Sequence, residues 1–250
     1  MENRSSEPRF PFVLFDLGGT LIYFDGEWPV VMAKALQVAT RSLRASGYQV
    51  DEQAFPQAYQ AVIEEFSQKR SDEFVEYTSE HVLRAALSAH AVPEPTPAHL
   101  SYALKEMYAV SQGHWQVEAD AAAMLETLRA AGCRLGIVSN ASDDEDVQTL
   151  VDQARIRPYF DFILTSAVAG YRKPSPHIFR QALAFWGARP EECVMIGDTL
   201  TADVEGANGM GIASVWITRR AASDDLEADR VLYKPTYTIV ALSDLPTILL

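Results

Sequence analysis

The stretch FVLFDLGGTLI, residues 12–22, decides the fold. Phe12 to Phe15 make a short apolar run that reads as a buried strand. The run ends on a carboxylate, Asp16, and the chain then turns on Gly18 and Gly19. An aspartate after a strand is an ordinary turn former. It becomes a functional group when other strands of the same sheet end on polar residues beside it. The meaning of Asp16 therefore depends on the rest of the chain.

Downstream of Tyr23 come long helical patterns. The first is WPVVMAKALQVATRSLRASG, closed by its terminal glycine. A second runs over residues 51–70, bent or restarted near Pro56, and a third over residues 72–89. After the proline-rich VPEPTP, a fourth covers residues 97–112. No strand signal stands out between Tyr23 and His114. From Ala119 onward, short apolar runs alternate with helices. Helix 119–131, stopped by Gly132, precedes the strand RLGIVS. Helix 143–154 precedes FDFILTS, helix 176–186 precedes CVMIG, helix 201–210 precedes IASVWIT, and a last short strand falls in TYTIVA. This alternation predicts βαβ units and an α/β fold, a Rossmann-like doubly wound parallel sheet. The core domain is expected from residues 1–22 and 115–250. Residues 23–114 are expected to form an inserted all-helical cap.

The composition is that of a globular chain: 48% apolar and 22% charged over 250 residues. No run approaches the length that spans a bilayer. The opening MENRSSEPRF lacks the apolar run of a signal peptide and reads as a short disordered lead. Cys133 and Cys193 adjoin strand-like runs and read as buried small hydrophobes, which fits a reducing cytoplasm. A net charge of −13 with no Lys/Arg cluster argues against nucleic-acid or membrane partners. A small-molecule substrate is expected. An anionic one would need local cations or a metal.

In open parallel sheets, ligands sit at the carboxyl ends of the strands. The residues found there are Asp16, Ser139 and Asn140, Lys173, and Asp198 with Asp203 five positions on. Each has a bland reading: a turn aspartate, a helix cap, an exposed loop lysine. Their succession along the sheet is what carries weight. Together they resemble the haloacid dehalogenase (HAD) superfamily, in the hydrolase branch with a helical cap after the first strand. Its opening Asp-x-Asp-x-Thr is met by Asp16-Leu17-Gly18-Gly19-Thr20. The strand ending in Ser or Thr is met by IVSN with Ser139, and the motif lysine by YRKPSP with Lys173. The Gly-Asp pair with a later Asp is met by GDTLTAD with Asp198 and Asp203.

The resemblance implies a phosphohydrolase acting on a small phosphorylated metabolite. Asp16 would be the nucleophile, forming an aspartyl-phosphate. Mg²⁺ would be held by Asp16, the backbone carbonyl of Gly18 and Asp198. Lys173 would offset the negative charge. Ser139 and backbone N–H groups near Asn140 would bind the phosphoryl group. Thr20 would brace the loop beside the substrate, and Asp203 would support the site or hold Lys173. The helical cap would close over the sheet and exclude water.

Gly18 departs from the pattern. The family's phosphatases carry there a second aspartate, which protonates the leaving oxygen and later deprotonates water. Loss of a positioned general acid–base costs ~10²–10⁴-fold in rate, less for leaving groups that depart unprotonated. Glycine also leaves a space open to a substrate group, a water or a cap residue. Three readings follow: a phosphohydrolase weakened or specialised for good leaving groups; a hydrolase of another bond, phosphonatase- or dehalogenase-like; and a non-catalytic phosphate- and Mg²⁺-binding protein. Retained Asp198 argues against dehalogenation. A phosphonatase needs a cap lysine, for which Lys34, Lys69 and Lys105 offer no recognisable context. The acidic run Asp143, Asp144, Glu145, Asp146 reads as favourable charge at a helix N-terminus. His114 and His177 read as ordinary loop and helix residues. Trp28, Tyr59, Tyr77 and Tyr108 are expected mainly to pack the cap.

Overall fold

A computed structural model describes residues 8–220 and 226–250; most of the expected N-terminal lead lies outside the described residues. Six parallel strands form the main sheet. They are β1 (Phe12–Phe15), β4 (Arg134–Ser139), β5 (Phe162–Thr165), β6 (Cys193–Gly197), β7 (Ala213–Ile217) and β8 (Tyr237–Ile239), in the order β5-β4-β1-β6-β7-β8. β1 lies near the middle, with Phe15 paired to Ile137 on one side and Ile196 on the other.

Side chains alternate across this sheet with the two-residue period of a strand. Val13, Phe15, Ile137 and Ile196 face one helical layer. It includes α5 (Ala121–Ala130), α6 (Asp144–Gln153) and the C-terminal α11 (Leu245–Leu249). Leu14, Val138 and Met195 face the other, which includes α8 (Pro176–Ala184) and α9 (Glu205–Met210). A short α7 (Ser166–Ala169) follows β5, and α10 (Leu226–Tyr233) precedes β8. Both faces are apolar because both are covered, and the strands read as continuous hydrophobic runs for that reason.

Between β1 and β4 the chain forms α1 (Trp28–Ala45), α2 (Ala54–Glu73), α3 (Ser79–Ala89) and α4 (Pro97–Gln112). These four helices bury a separate hydrophobic cluster that includes Leu36, Leu43, Phe55, Leu83, Leu100 and Met107.

Three expectations need correction. The region after β1 is not free of strands: β2 (Ile22–Phe24) pairs antiparallel with β3 (Trp115–Val117), tying the two ends of the helical block together. Three-residue strands are too short to show a period, and their partners are remote in sequence. The third helix begins at Ser79, not at residue 72. Thr78 caps it by accepting a hydrogen bond from the His81 N–H, while Val75 bridges to Tyr171 of the core. Helix 201–210 is a π-helical turn over Leu200–Val204 followed by α9.

Candidate active site

The strand-end residues converge. Asp16 directly follows β1 and is almost buried, at 8% exposure; its N–H donates to the Ile196 carbonyl at 2.8 Å. Lys173 is 3% exposed and reaches back to Asp16, its Nζ donating to Asp16 Oδ1 at 2.6 Å and to the Val138 carbonyl at 2.7 Å. The same Nζ pairs with Asp203 Oδ1 at 2.6 Å. Asp203 accepts the Thr199 N–H at 3.0 Å through its other oxygen. Asn140 sets the lysine's backbone: its Oδ1 accepts the Lys173 N–H at 2.7 Å and its Nδ2 donates to the Lys173 carbonyl at 2.9 Å. This positioning of Lys173 adds to the phosphoryl-binding role expected beside Asn140. Ser139, the last residue of β4, is buried at the edge of the same cavity.

Asp198 completes the cluster. Asp16, Asp198 and Asp203 each offer a carboxylate oxygen within 4.8 Å of the others. Three carboxylates thus face one ammonium. Burial works against the charge on Lys173, but Asp16 and Asp203 outweigh it and hold the lysine above its ordinary pKa. Asp198 forms no ion pair among the described residues. Burial, followed by the charges of Asp16 and Asp203, pushes its carboxyl up to about 7. Burial also pushes Asp203 up, against the pull of Lys173. This surplus of carboxylate could hold a divalent cation, and hard oxygen ligands suit Mg²⁺.

The two glycines differ in purpose. Gly19 has φ +78°, and a Cβ there would lie 2.4 Å from Asp198 Oδ2. Only glycine fits that close approach. Gly18 is not in the left-handed region. A Cβ at Gly18 would instead point at the Trp115 indole, 3.3 Å from Cη2 and 3.5 Å from Cζ3. The space left by the missing side chain is closed by an aromatic ring from β3.

Thr20 falls outside the expected arrangement. It is fully buried, its Oγ1 has no hydrogen-bond partner among the described residues, and it does not line the cavity. The loop is braced by backbone bonds instead, with the Gly19 N–H donating to the Ile22 carbonyl at 2.7 Å. The acidic run caps α6, where Asp143 Oδ1 accepts the Asp146 N–H at 3.0 Å. His114 is bonded to the Asp25 carbonyl, and His177 stacks on Tyr171. Both cysteines are buried and unpaired.

Above the cluster lies a cavity of about 960 Å³, walled by the sheet edge below and by α1, α2, α3 and α4 above. Trp28, Tyr59 and Tyr108 line it, whereas Tyr77 packs on Phe66 inside the helical block. Among the described residues, none of Lys34, Lys69 and Lys105 lines it. Two lining residues escaped the sequence reading. Trp115 carried only the signal of an isolated tryptophan, and Arg172 looked like a neutral neighbour of Lys173.

A sequence model of the haloacid dehalogenase-like hydrolases matches residues 11–211. The chain belongs to the haloacid dehalogenase-like hydrolase family. Phosphoserine phosphatase of Thermus thermophilus is 33% identical over 150 residues, 60% of this chain and 58% of that enzyme, so the match spans little more than half of that relative. Ribulose-1,5-bisphosphate 5-phosphatase of Halopiger xanaduensis is 30% identical over 226 residues, 87% of this hydrolase and 89% of its own length. The crystal structure of a HAD phosphatase from Thermococcus onnurineus aligns with TM-score 0.64 and 25% identity, covering 94% of this chain and 96% of that one. No helix among the described residues is long and apolar enough to cross a membrane.

Proposed function

We propose that the protein is a Mg²⁺-dependent phosphohydrolase of a small phosphorylated metabolite, specialised for good leaving groups. The carrying observation is the cluster at the carboxyl ends of parallel strands: Asp16, Asp203 and Lys173 line the cavity, and Asp198 offers a carboxylate oxygen within 4.8 Å of the other two aspartates. Asp16 is the nucleophile. It attacks phosphorus and carries the phosphoryl group as an aspartyl-phosphate, which water then hydrolyses. Lys173 holds the Asp16 carboxylate in place and neutralises charge on the phosphoryl oxygens. Asp203 holds Lys173. Ser139 and the N–H groups beside Asn140 bind the phosphoryl group. Asp16, Asp198 and the backbone carbonyl of Gly18 would hold the metal, which when bound would supply positive charge to the phosphoryl group. Residues 23–114 form the cap that closes over it, and residues 1–22 and 115–250 the core. The phosphatase relatives support the reaction class, and the buried unpaired cysteines fit a cytoplasmic location.

Gly18 gives specific support to a second reading, a protein that binds phosphate and Mg²⁺ without turning a substrate over. One experiment separates the two: steady-state hydrolysis of acetyl phosphate with and without Mg²⁺, for wild type and Asp16→Asn, with Mg²⁺ binding followed by calorimetry. The phosphohydrolase reading expects metal-dependent turnover that Asp16→Asn abolishes while Mg²⁺ binding largely survives. Mg²⁺ binding without turnover in the wild type would establish the second reading instead. Turnover surviving in Asp16→Asn would remove Asp16 from its role.

A further inference from the structure

We propose that Trp115 determines specificity, and that the substrate's leaving group is planar and aromatic, an aryl phosphate monoester. This rests on the phosphohydrolase reading above and names its substrate class. The starting point is what occupies the place of an acid–base side chain. Any Cβ at Gly18 would meet the Trp115 ring at 3.3 Å. That space is filled by an indole, which can neither give nor take a proton in the reaction.

The ring is fixed in place. Trp115 pairs with Phe24 in the β2–β3 ribbon. Its ring meets Phe24 edge to face at 5.4 Å and Trp28 at 6.3 Å, and Phe24 meets Trp28 at 4.8 Å. Trp28 is 47% exposed and lines the cavity. With Leu17, Ile22 and Met32, these two tryptophans form an apolar wall adjoining Asp16. A sugar or polyol leaving group would lose its hydration against this wall. An aromatic one would gain ring contacts.

The vacant position at Gly18 favours the same class. No histidine, cysteine or glutamate lines the cavity among the described residues. Asp143 is engaged in capping α6, and Asp146 accepts from Gln112 Nε2 at 2.9 Å. In the first step Asp16 Oδ bonds to phosphorus as the P–O bond to the leaving group breaks. The electron pair departs with that oxygen. A phenolate is stable with the pair and takes its proton from water afterwards; an alkoxide is not. In the second step water bonds to phosphorus, the Asp16 O–P bond breaks with its electron pair returning to the carboxylate, and phosphate leaves carrying both protons of the water, one of which it passes to solvent. Both the vacant acid position and the aromatic wall select an aryl oxygen.

The test is kcat and KM, with Mg²⁺, for 1-naphthyl phosphate, acetyl phosphate and glycerol phosphate in wild type, Trp115→Ala and Trp115→Phe. Acetyl phosphate has as good a leaving group but no ring, so it separates ring recognition from leaving-group chemistry. The wild type is expected to prefer naphthyl phosphate through a lower KM, with glycerol phosphate the poorest. Trp115→Ala should shift the naphthyl-to-acetyl ratio of kcat/KM about tenfold against the aryl ester. Trp115→Phe should recover most of that shift. A wild-type second readout guards against a variant that fails to fold: phenylphosphonate should inhibit acetyl phosphate hydrolysis at least about tenfold more tightly than methylphosphonate. Equal inhibition, or an unshifted ratio in a folded Trp115→Ala, overturns the inference and leaves the phosphohydrolase reading standing. Absence of turnover on every ester overturns both.

Discussion

At position 18 a missing side chain and a distant ring act together. On the proposed phosphohydrolase reading, the site around Asp16 needs carboxylates, a lysine and a cation, and Gly18 supplies no proton to the leaving oxygen. Restoring a carboxylate is therefore not a matter of one substitution. In Gly18→Asp the new Cβ lies 3.3 Å from Trp115 Cη2, tighter than ordinary contact, so the ring must give way. Glycerol phosphate turnover is expected to rise only slightly in Gly18→Asp. In Gly18→Asp with Trp115→Phe, which opens room, it should rise by at least about tenfold over the single variant, toward the ~10²-fold lower bound of a positioned acid–base. Equal kcat in the two variants would separate the ring from the missing acid.

Among the elements, α6 carries an electrostatic load of its own. Asp143 caps it, and Asp146 sits one turn inside, bonded to Gln112 of α4. Burial pushes the Asp146 carboxyl up to about 7, assisted by Asp143 and opposed by the Gln112 bond. The unfolded chain releases this proton near 3.8. The folded state thus binds the proton more tightly, and stability falls as pH rises between those two values, with the whole penalty present above the upper one. Asp146→Asn keeps an acceptor for Gln112 and removes the charge. Thermal unfolding should show it more stable than wild type at pH 8, by up to about 4 kcal/mol, with a flatter slope between pH 4 and 7. Identical pH profiles would mean that solvent reaches Asp146 freely in the folded state.

Across the whole molecule, the helical block meets the core through a segment that looked like plain helix in the sequence. Glu76 is buried, accepts from Ser166 Oγ at 2.6 Å and pairs with Arg172 at 3.2 Å, next to Lys173. The backbone joins in: the Glu76 N–H donates to the Gly170 carbonyl and the Arg172 N–H to the Phe74 carbonyl. Glu76→Ala should cost about 1–3 kcal/mol, a fall in Tm of several degrees for a chain this size, and should raise KM more than it lowers kcat if the segment seats the cap. A Tm within a degree of wild type would count against this latch. Asp16, Ser139, Lys173 and Asp198 were legible because each lies at the end of a strand or in the loop beyond one, and the strand period and turn chemistry are written locally. Glu76 was not, because a helical pattern on both sides hid a break made by contact with the core. Trp115 was not, because nothing near it in sequence records that its ring covers Gly18. By itself the sequence determined the alternation of strands and helices, the inserted helical block and the motif residues, since these depend on neighbours within a few positions. The tertiary structure alone decided the strand order that puts Asp16 between β4 and β6, the buried ties of Lys173 to Asp16 and Asp203, and the ring over Gly18. Those contacts join residues far apart in the chain, and only the packing of the whole sheet and its covering helices brings them within reach.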